Sequence, residues 1–314
     1  MRSVSPTMLD AVGNTPLVRL RKVVPPECGT VLVKLEFANP TGSMKDRVAK
    51  AMVEAAERDG RLRPGGTVVE YTGGTTGVSL AFVCAAKGYR LHVVFSDAFS
   101  DEKGRTMAAF GAEVTNVPSD GKRINEALFR KLVETARTLA ERPNHWFCNQ
   151  LENPDGAAGY HPLGEEIWEQ TVGRVDAFVQ AVGTAHSLHG VTEALWKHNP
   201  KVEIVAVEPA ESAVLSGGRS GSHRIEGIGI GYLPPLWNPK LVNRIVPVPT
   251  GEAERMSRRL AREEGLFVGT SSGANVVAAT NIARELGPGS TVVTLMVDSG
   301  LRYLSTELFG PVPR

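Results

Sequence analysis

The sequence predicts an α/β protein with mostly parallel sheets covered by helices, arranged in two domains. Three observations carry this. Apolar runs rich in β-branched residues alternate with helix-period segments, the pattern of a sheet covered on both faces. Several of these runs end at Gly or Ser/Thr clusters. A length of 314 residues exceeds what one small core organises. Taken in order, strands are expected at 31–36 (VLVKLE), 67–71 (TVVEY), 91–96 (LHVVFS), 113–117, 175–182 (VDAFVQAV), 203–208, 244–247 and 291–297 (TVVTLMV). Helices are expected between them at 78–87, 121–141, 154–170, 187–198, 251–264 and 274–286. The stretch 211–239, rich in Gly, Ser and Pro, reads as a mobile loop region or a substrate-facing lid.

Composition narrows the partners. Lys plus Arg number 35 against 34 Asp plus Glu, so there is no field to hold nucleic acid or an anionic membrane, and a small molecule fits better. Cys28, Cys84 and Cys148 are far apart and form no C-x-x-C pair, which argues against a disulfide framework or zinc site and for a reducing cytoplasm. Cys84, within LAFVCAA, reads as a small buried hydrophobe. The first residues, MRSVSPTMLD, lack a continuous apolar core, and no apolar stretch approaches the ~20 residues of a membrane span.

Ligands of open α/β sheets gather beyond the carboxyl ends of the strands, so Gly/Ser/Thr-rich strand-to-helix turns are the places to search. Four stand out. In Asn39-Pro-Thr-Gly-Ser-Met-Lys45-Asp46-Arg47, Ser43 is placed to cap a helix and Asp46 to complete a capping box, which puts Lys45 in the first turn. A cation there opposes the helix dipole, which favours the neutral amine that a Schiff base needs. Taken alone, a solvated surface group remains the commoner fate of a lysine. The second turn, Thr72-Gly-Gly-Thr-Thr-Gly77, suits a carboxylate or another small anion, or is a tight turn with a cap. The third, Gly183-Thr-Ala-His-Ser187, makes a phosphate cradle of a helix start. It matches neither the dinucleotide nor the nucleoside-triphosphate glycine pattern. His186 and His189 share a helical face, but with no third ligand a metal is not expected. The fourth is Gly269-Thr-Ser-Ser-Gly-Ala274, with Asp298-Ser-Gly300 after the last strand. Several anion cradles without a Ser-His-Asp order or a metal cluster point to a cofactor that brings its own phosphate and its own chemistry.

These motifs occur together in a known order. Asn14-Thr-Pro-Leu-Val-Arg-Leu20, the Lys45 motif, the 72–77 turn, Gly183-Thr, Glu226-Gly-Ile-Gly-Ile-Gly231, Gly269-Thr-Ser-Ser-Gly-Ala274 and Ser299-Gly-Leu-Arg-Tyr-Leu-Ser-Thr306 resemble the cysteine synthase (O-acetylserine sulfhydrylase) and cystathionine β-synthase family over nearly the whole chain. The resemblance implies a fold-type-II pyridoxal 5'-phosphate enzyme, like the tryptophan synthase β subunit. It implies a smaller domain, 37–149, closing on a larger one, 1–36 plus 150–314, with the cofactor between them. By matching position, Lys45 would form the internal aldimine and act as catalytic base. Gly183, Thr184, Ala185, His186 and Ser187 would hold the phosphate. Thr75 stands where a residue meets the ring oxygen, and Ser271 would face the ring nitrogen. Thr72, Gly73, Gly74 and Thr76 would grip the substrate carboxylate, with Gln150 and the Gly227 loop nearby. The implied reaction is β-replacement on O-acetylserine or O-phosphoserine, by sulfide or another nucleophile, through an aminoacrylate. A cytoplasmic homodimer and a serine acetyltransferase partner follow from the same resemblance.

The chain departs from the family in places. Gly73 and Thr75 replace a serine and an asparagine of the carboxylate loop, Ala185-His186-Ser187 replaces Gly-Gly-Thr, and Asp298 replaces a common serine. Lys45 and Ser271 are untouched, so the departures bear on donor and nucleophile rather than on the cofactor. The alternatives are a serine/threonine dehydratase, cystathionine formation, or a cofactor-free paralogue that binds a partner. The longer members of the first two groups carry a regulatory domain, for which no sequence is present after residue 314.

Overall fold

The computed structural model describes residues 5–121 and 126–310. Along the chain the strands are β1 Leu17–Arg19, β2 Thr30–Lys34, β3 Thr67–Tyr71, β4 Arg90–Phe95, β5 Glu113–Asn116, β6 His145–Phe147, β7 Ala177–Ala181, β8 Glu203–Pro209, β9 Arg244–Val248 and β10 Thr291–Leu295. The α-helices are α1 Lys45–Arg58, α2 Thr75–Lys87, α3 Asp101–Ala109, α4 Glu126–Ala140, α5 Asp155–Ala158, α6 His161–Gln170, α7 His186–His198, α8 Thr250–Arg259 and α9 Thr270–Leu286. No helix among the described residues is long and apolar enough to cross a membrane.

Two compact units result: Asn39–Gly159 with the segment ending at Gly13, and Asn14–Ala38 with the residues from Tyr160 onward. These bounds differ from the expected 37–149 division. The segment ending at Gly13 joins the first unit because Lys50 Nζ donates to the Leu9 carbonyl (3.1 Å) and Gly13 N to Asn39 Oδ1 (2.8 Å). Residues 150–159 join it because α5 packs on α1 and Asp155 pairs with Arg61 at 2.6 Å.

The first unit is a four-stranded parallel sheet in the order β5-β4-β3-β6. All five residues of β3 are buried, as the unbroken run TVVEY requires of a strand covered on both faces. In α1 the buried Val48, Ala49, Met52, Val53 and Ala56 recur at helical spacing, and in α4 Leu128, Leu132, Ala136 and Leu139 do the same. The second unit is a six-stranded sheet in the order β1-β2-β10-β7-β8-β9, parallel except for the antiparallel edge pair β1-β2. Its core is Val31, Val33, Ala177, Val179, Val205, Val207 and Val292 from the strands, packed against Ala274, Ala278 and Ala279 of α9.

Three elements go unread in the sequence, and two expected helices need revision. The strands β1 and β6 are three residues each, too short for a periodic signal. Helix α3 is hidden in the sequence by its charged first turn, Asp101 and Glu102. The helix expected at 154–170 is two, α5 and α6, because Pro162 in the first turn of α6 has no N–H to continue the ladder from α5. The helix expected at 251–264 is α8 followed by a π-turn, Leu260–Glu264. The start of the helix expected at 121–141 falls partly outside the described residues.

Candidate active site

In the first unit, Lys45 is the first residue of α1 and is half-buried, and its N–H donates to Ser43 Oγ at 3.2 Å. The expected capping box does not form. The Asp46 carboxylate instead accepts from Thr41 N (2.8 Å) and Thr41 Oγ1 (2.6 Å), because the left-handed turn at Gly42 (φ 81°) folds Thr41 back over the helix start. Thr41 Oγ1 also lies 3.4 Å from Ser79 Oγ on α2, so the Lys45 segment is joined to the helix that opens with the second turn.

That turn is held by Thr72, whose Oγ1 accepts from the N–H groups of Gly74 (2.9 Å) and Gly77 (3.3 Å). Gly74 sits at φ 121°, and a Cβ there would lie 2.3 Å from Lys103 Cδ, so neither conformation nor space admits a side chain. Gly73 faces the Phe99 ring, 3.1 Å from where its Cβ would be. Thr75 begins α2, and Thr76 Oγ1 donates to Gln150 Oε1 at 2.6 Å while Gln150 Nε2 donates to the Tyr71 carbonyl at 3.2 Å. The structure therefore brings Thr72, Gly73, Gly74, Thr75, Thr76 and Gln150 together. Beneath them lies a group that motif reading passes over, Glu70. It is fully buried, accepts from Tyr71 N and Gln150 N at 3.0 Å each, and burial pushes its carboxyl up to about 8.

In the second unit, Gly183 lies in the loop between β7 and α7. A Cβ there would lie 2.4 Å from the Gly227 carbonyl oxygen, so Gly183 and Gly227 are brought into contact that only glycine permits. Ala185 takes φ 71°, the left-handed region, at the position from which α7 starts without a side-chain cap. Thr184 Oγ1 and His186 Nδ1 are 3.0 Å apart, and both residues are buried, as is Ser187. Ser187 Oγ accepts from Gln180 Nε2 (3.3 Å), and Gln180 Oε1 in turn accepts from Asn275 Nδ2 (3.0 Å) on α9. Asn275 also accepts from Ala181 N (2.7 Å) and donates to the Leu295 carbonyl (2.9 Å). The turn 183–187 is thus tied to α9, whose second residue is the buried Ser271. Tyr303 donates to Asp298 Oδ2 at 2.6 Å beside Gly269, where a Cβ would strike the Tyr303 ring at 2.5 Å. His189, the helical neighbour of His186, accepts from Asn238 N at 3.4 Å, and burial lowers its pKa. No group of three metal-binding side chains occurs among the described residues.

Glu70, Gln180 and Asn275 escape motif reading because each sits inside an apolar strand or helix. The available signal is a lone polar residue inside such a run, which is buried only with partners.

The 183–187 turn fits a phosphate monoester: close backbone approach at Gly183, an uncapped helix start, and buried hydroxyls at Thr184 and Ser187. Residues 8–298 match the family model described as pyridoxal-phosphate dependent enzyme. A cysteine synthase of Staphylococcus aureus (strain Mu50 / ATCC 700699) is 44% identical over 301 residues, 95% of each chain. The crystal structure of a cysteine synthase from Entamoeba histolytica superposes with a TM-score of 0.92 at 37% identity, covering 100% of this chain and 93% of that one. An O-acetylserine dependent cystathionine β-synthase from Helicobacter pylori gives a TM-score of 0.90 at 34% identity, covering 98% and 100%. With nearly its whole length matched in sequence and fold, and with a turn built to take the phosphate, this chain belongs to the pyridoxal-phosphate dependent enzyme family.

Proposed function

We propose that the protein catalyses β-replacement on an activated serine, O-acetylserine or O-phosphoserine, with sulfide or a related nucleophile, in the manner of a cysteine synthase. The observation that carries this reading is the Thr72–Thr76 turn closed by Gln150. It gathers glycine N–H groups, threonine hydroxyls and a side-chain amide at a helix start, held by hydrogen bonds among themselves, and these are the donors that the α-carboxylate of an amino acid would take over. Gly183, Thr184, Ala185, His186 and Ser187 would hold the cofactor's phosphate, with Gly227 packed behind Gly183. Thr75 would stand beside the ring oxygen and Ser271 beside the ring nitrogen. When bound, pyridoxal phosphate supplies an electron sink that stabilises negative charge at the substrate's Cα.

The chain's own residues do the rest. Lys45 would carry the cofactor, and its amine would take the Cα proton and later return it. Thr76 and Gln150 would orient the carboxylate so that the Cα–H bond faces Lys45. Ser271, a neutral hydroxyl, cannot hold the ring nitrogen protonated as a carboxylate would, which suits loss of a β-substituent over transamination. A cytoplasmic homodimer that docks a serine acetyltransferase belongs to the same reading, and light scattering with and without that enzyme tests it.

The decisive experiment incubates the purified holoenzyme with O-acetylserine and O-phosphoserine, with and without sulfide, and identifies the products. A sulfur amino acid that forms only with the nucleophile supports the reading. Nucleophile-independent keto acid and ammonia would replace it with a dehydratase. Borohydride treatment followed by peptide mapping is expected to leave the reduced cofactor on Lys45, and its absence there removes that residue from the role.

A further inference from the structure

The end of β6 leaves a gap in the first unit's sheet. The register between β3 and β6 stops at Val69↔Phe147, with one further bond from Cys148 N to the Val69 carbonyl at 2.9 Å. The chain then turns away at Asn149, held at φ 49°. Where the next rung would form, the side chain of Glu70 takes the place of the missing strand. Its Oε1 accepts the main-chain N–H of Tyr71 and its Oε2 that of Gln150, each at 3.0 Å. One carboxyl group therefore clamps the segment that leaves the sheet to the strand that stays.

The clamp ends at Gln150. With its main chain fixed by Glu70, the Gln150 side chain reaches back over β3, donates to the Tyr71 carbonyl at 3.2 Å and accepts from Thr76 Oγ1 at 2.6 Å. A chain of contacts thus runs from a group with no exposure to the hydroxyl at the second position of α2. We propose that Glu70 is a positioning residue for amino-acid binding, holding Gln150 and through it Thr76 in the arrangement that receives the substrate carboxylate. The proposal rests on the reading of Thr76 and Gln150 as carboxylate ligands. It adds a residue that touches neither substrate nor cofactor.

The test uses the holoenzyme and the substitution Glu70→Gln, which keeps the shape but presents an N–H₂ group to one of the two N–H donors. Binding of L-alanine, an amino acid with no leaving group, is measured by calorimetry, alongside KM and kcat for the productive donor and a thermal melt. The expected result is an L-alanine Kd and a KM raised about tenfold, with kcat at saturation changed less than about threefold. In Gln150→Ala, which already lacks the amide, adding Glu70→Gln is expected to weaken binding by no more than about twofold, because the two act in series. A folded Glu70→Gln with unchanged Kd, or effects that multiply fully in the double variant, overturns the proposal. If Thr76→Ala and Gln150→Ala themselves leave L-alanine binding intact, the carboxylate reading fails, and the Glu70 proposal with it. If they weaken binding and Glu70→Gln does not, only the Glu70 proposal fails. Should Glu70→Gln not fold, Glu70→Asp takes its place under the same criteria, and failure of both to fold makes the residue purely structural and overturns the proposal.

Discussion

The buried carboxyl of Glu70 gives the first unit a stability that depends on pH in a direction opposite to that of an ordinary surface acid. Burial raises it from 4.5 to about 8, outweighing the two main-chain N–H groups that favour its ionised form. At pH 7 the folded carboxyl therefore holds a proton that the unfolded chain has released. Unfolding liberates that proton, so a rise in pH favours unfolding. The contribution is fully present below about pH 4.5 and is lost as pH climbs through about 8. Between those limits the loss is about 1.4 kcal/mol per pH unit, about 5 kcal/mol in all as an order of magnitude. The neighbouring Cys148 thiol is pushed well above its ordinary range by burial, so it does not titrate in this window. The assay is amide hydrogen exchange on β3 and β6 in wild type and Glu70→Gln from pH 5 to pH 8, corrected for intrinsic exchange rates, which reports opening of that unit alone. The difference in opening free energy between the two proteins is expected to shrink steadily with rising pH. Parallel pH profiles would refute the reasoning, since they would mean that the two N–H donors keep the carboxylate ionised.

Lys34 has no exposure, and its ammonium lies 2.6 Å from Glu166 while donating to the Thr15 carbonyl and Gln170. Lys34→Met is expected to destabilise the second unit by about 3–5 kcal/mol in urea, and adding Glu166→Gln to recover part of it, because the cost comes from the charge left behind. At Gly273 a Cβ would lie 2.1 Å from the Ala253 carbonyl and 2.4 Å from Ser257 Oγ. Gly273→Ala is therefore expected to force α8 and α9 apart and cost about 1–3 kcal/mol, read as a lower melting temperature. All three cysteines are buried and free, and burial pushes the Cys84 thiol up to about 12. A thiol reagent at neutral pH is expected to label none of them rapidly until urea is added, and fast labelling of the native protein would contradict that burial.

Much of the architecture is legible because long buried strands leave a plain trace: TVVEY and TVVTL lie where their apolar runs place them. The three-residue strands β1 and β6 leave none, since their partners rather than their own side chains define them. The candidate site is readable at its turns, where Gly and hydroxyl residues must sit for backbone reasons. What holds those turns is not. Asp46 reaches Thr41 rather than Ser43, and Gln180, which donates to Ser187, is itself held by Asn275, 95 residues away on α9. The first contact depends on the left-handed turn at Gly42, which spacing does not reveal, and the second on how β7 and α9 are brought together in the folded unit.

The chain passes from the second sheet into the first unit and back, and this has a consequence for biosynthesis. All residues of the first unit have been made once Gly159 is in place, so it has every partner it needs early. The second sheet does not: β2, among the first strands translated, lies between the short β1 and β10, and Thr30 pairs with Thr291. On a ribosome releasing about 5–20 residues per second, the apolar Val31 and Val33 wait for their final neighbour until translation is almost over. That interval is when a nascent chain of this kind is most exposed to mispairing and to chaperones.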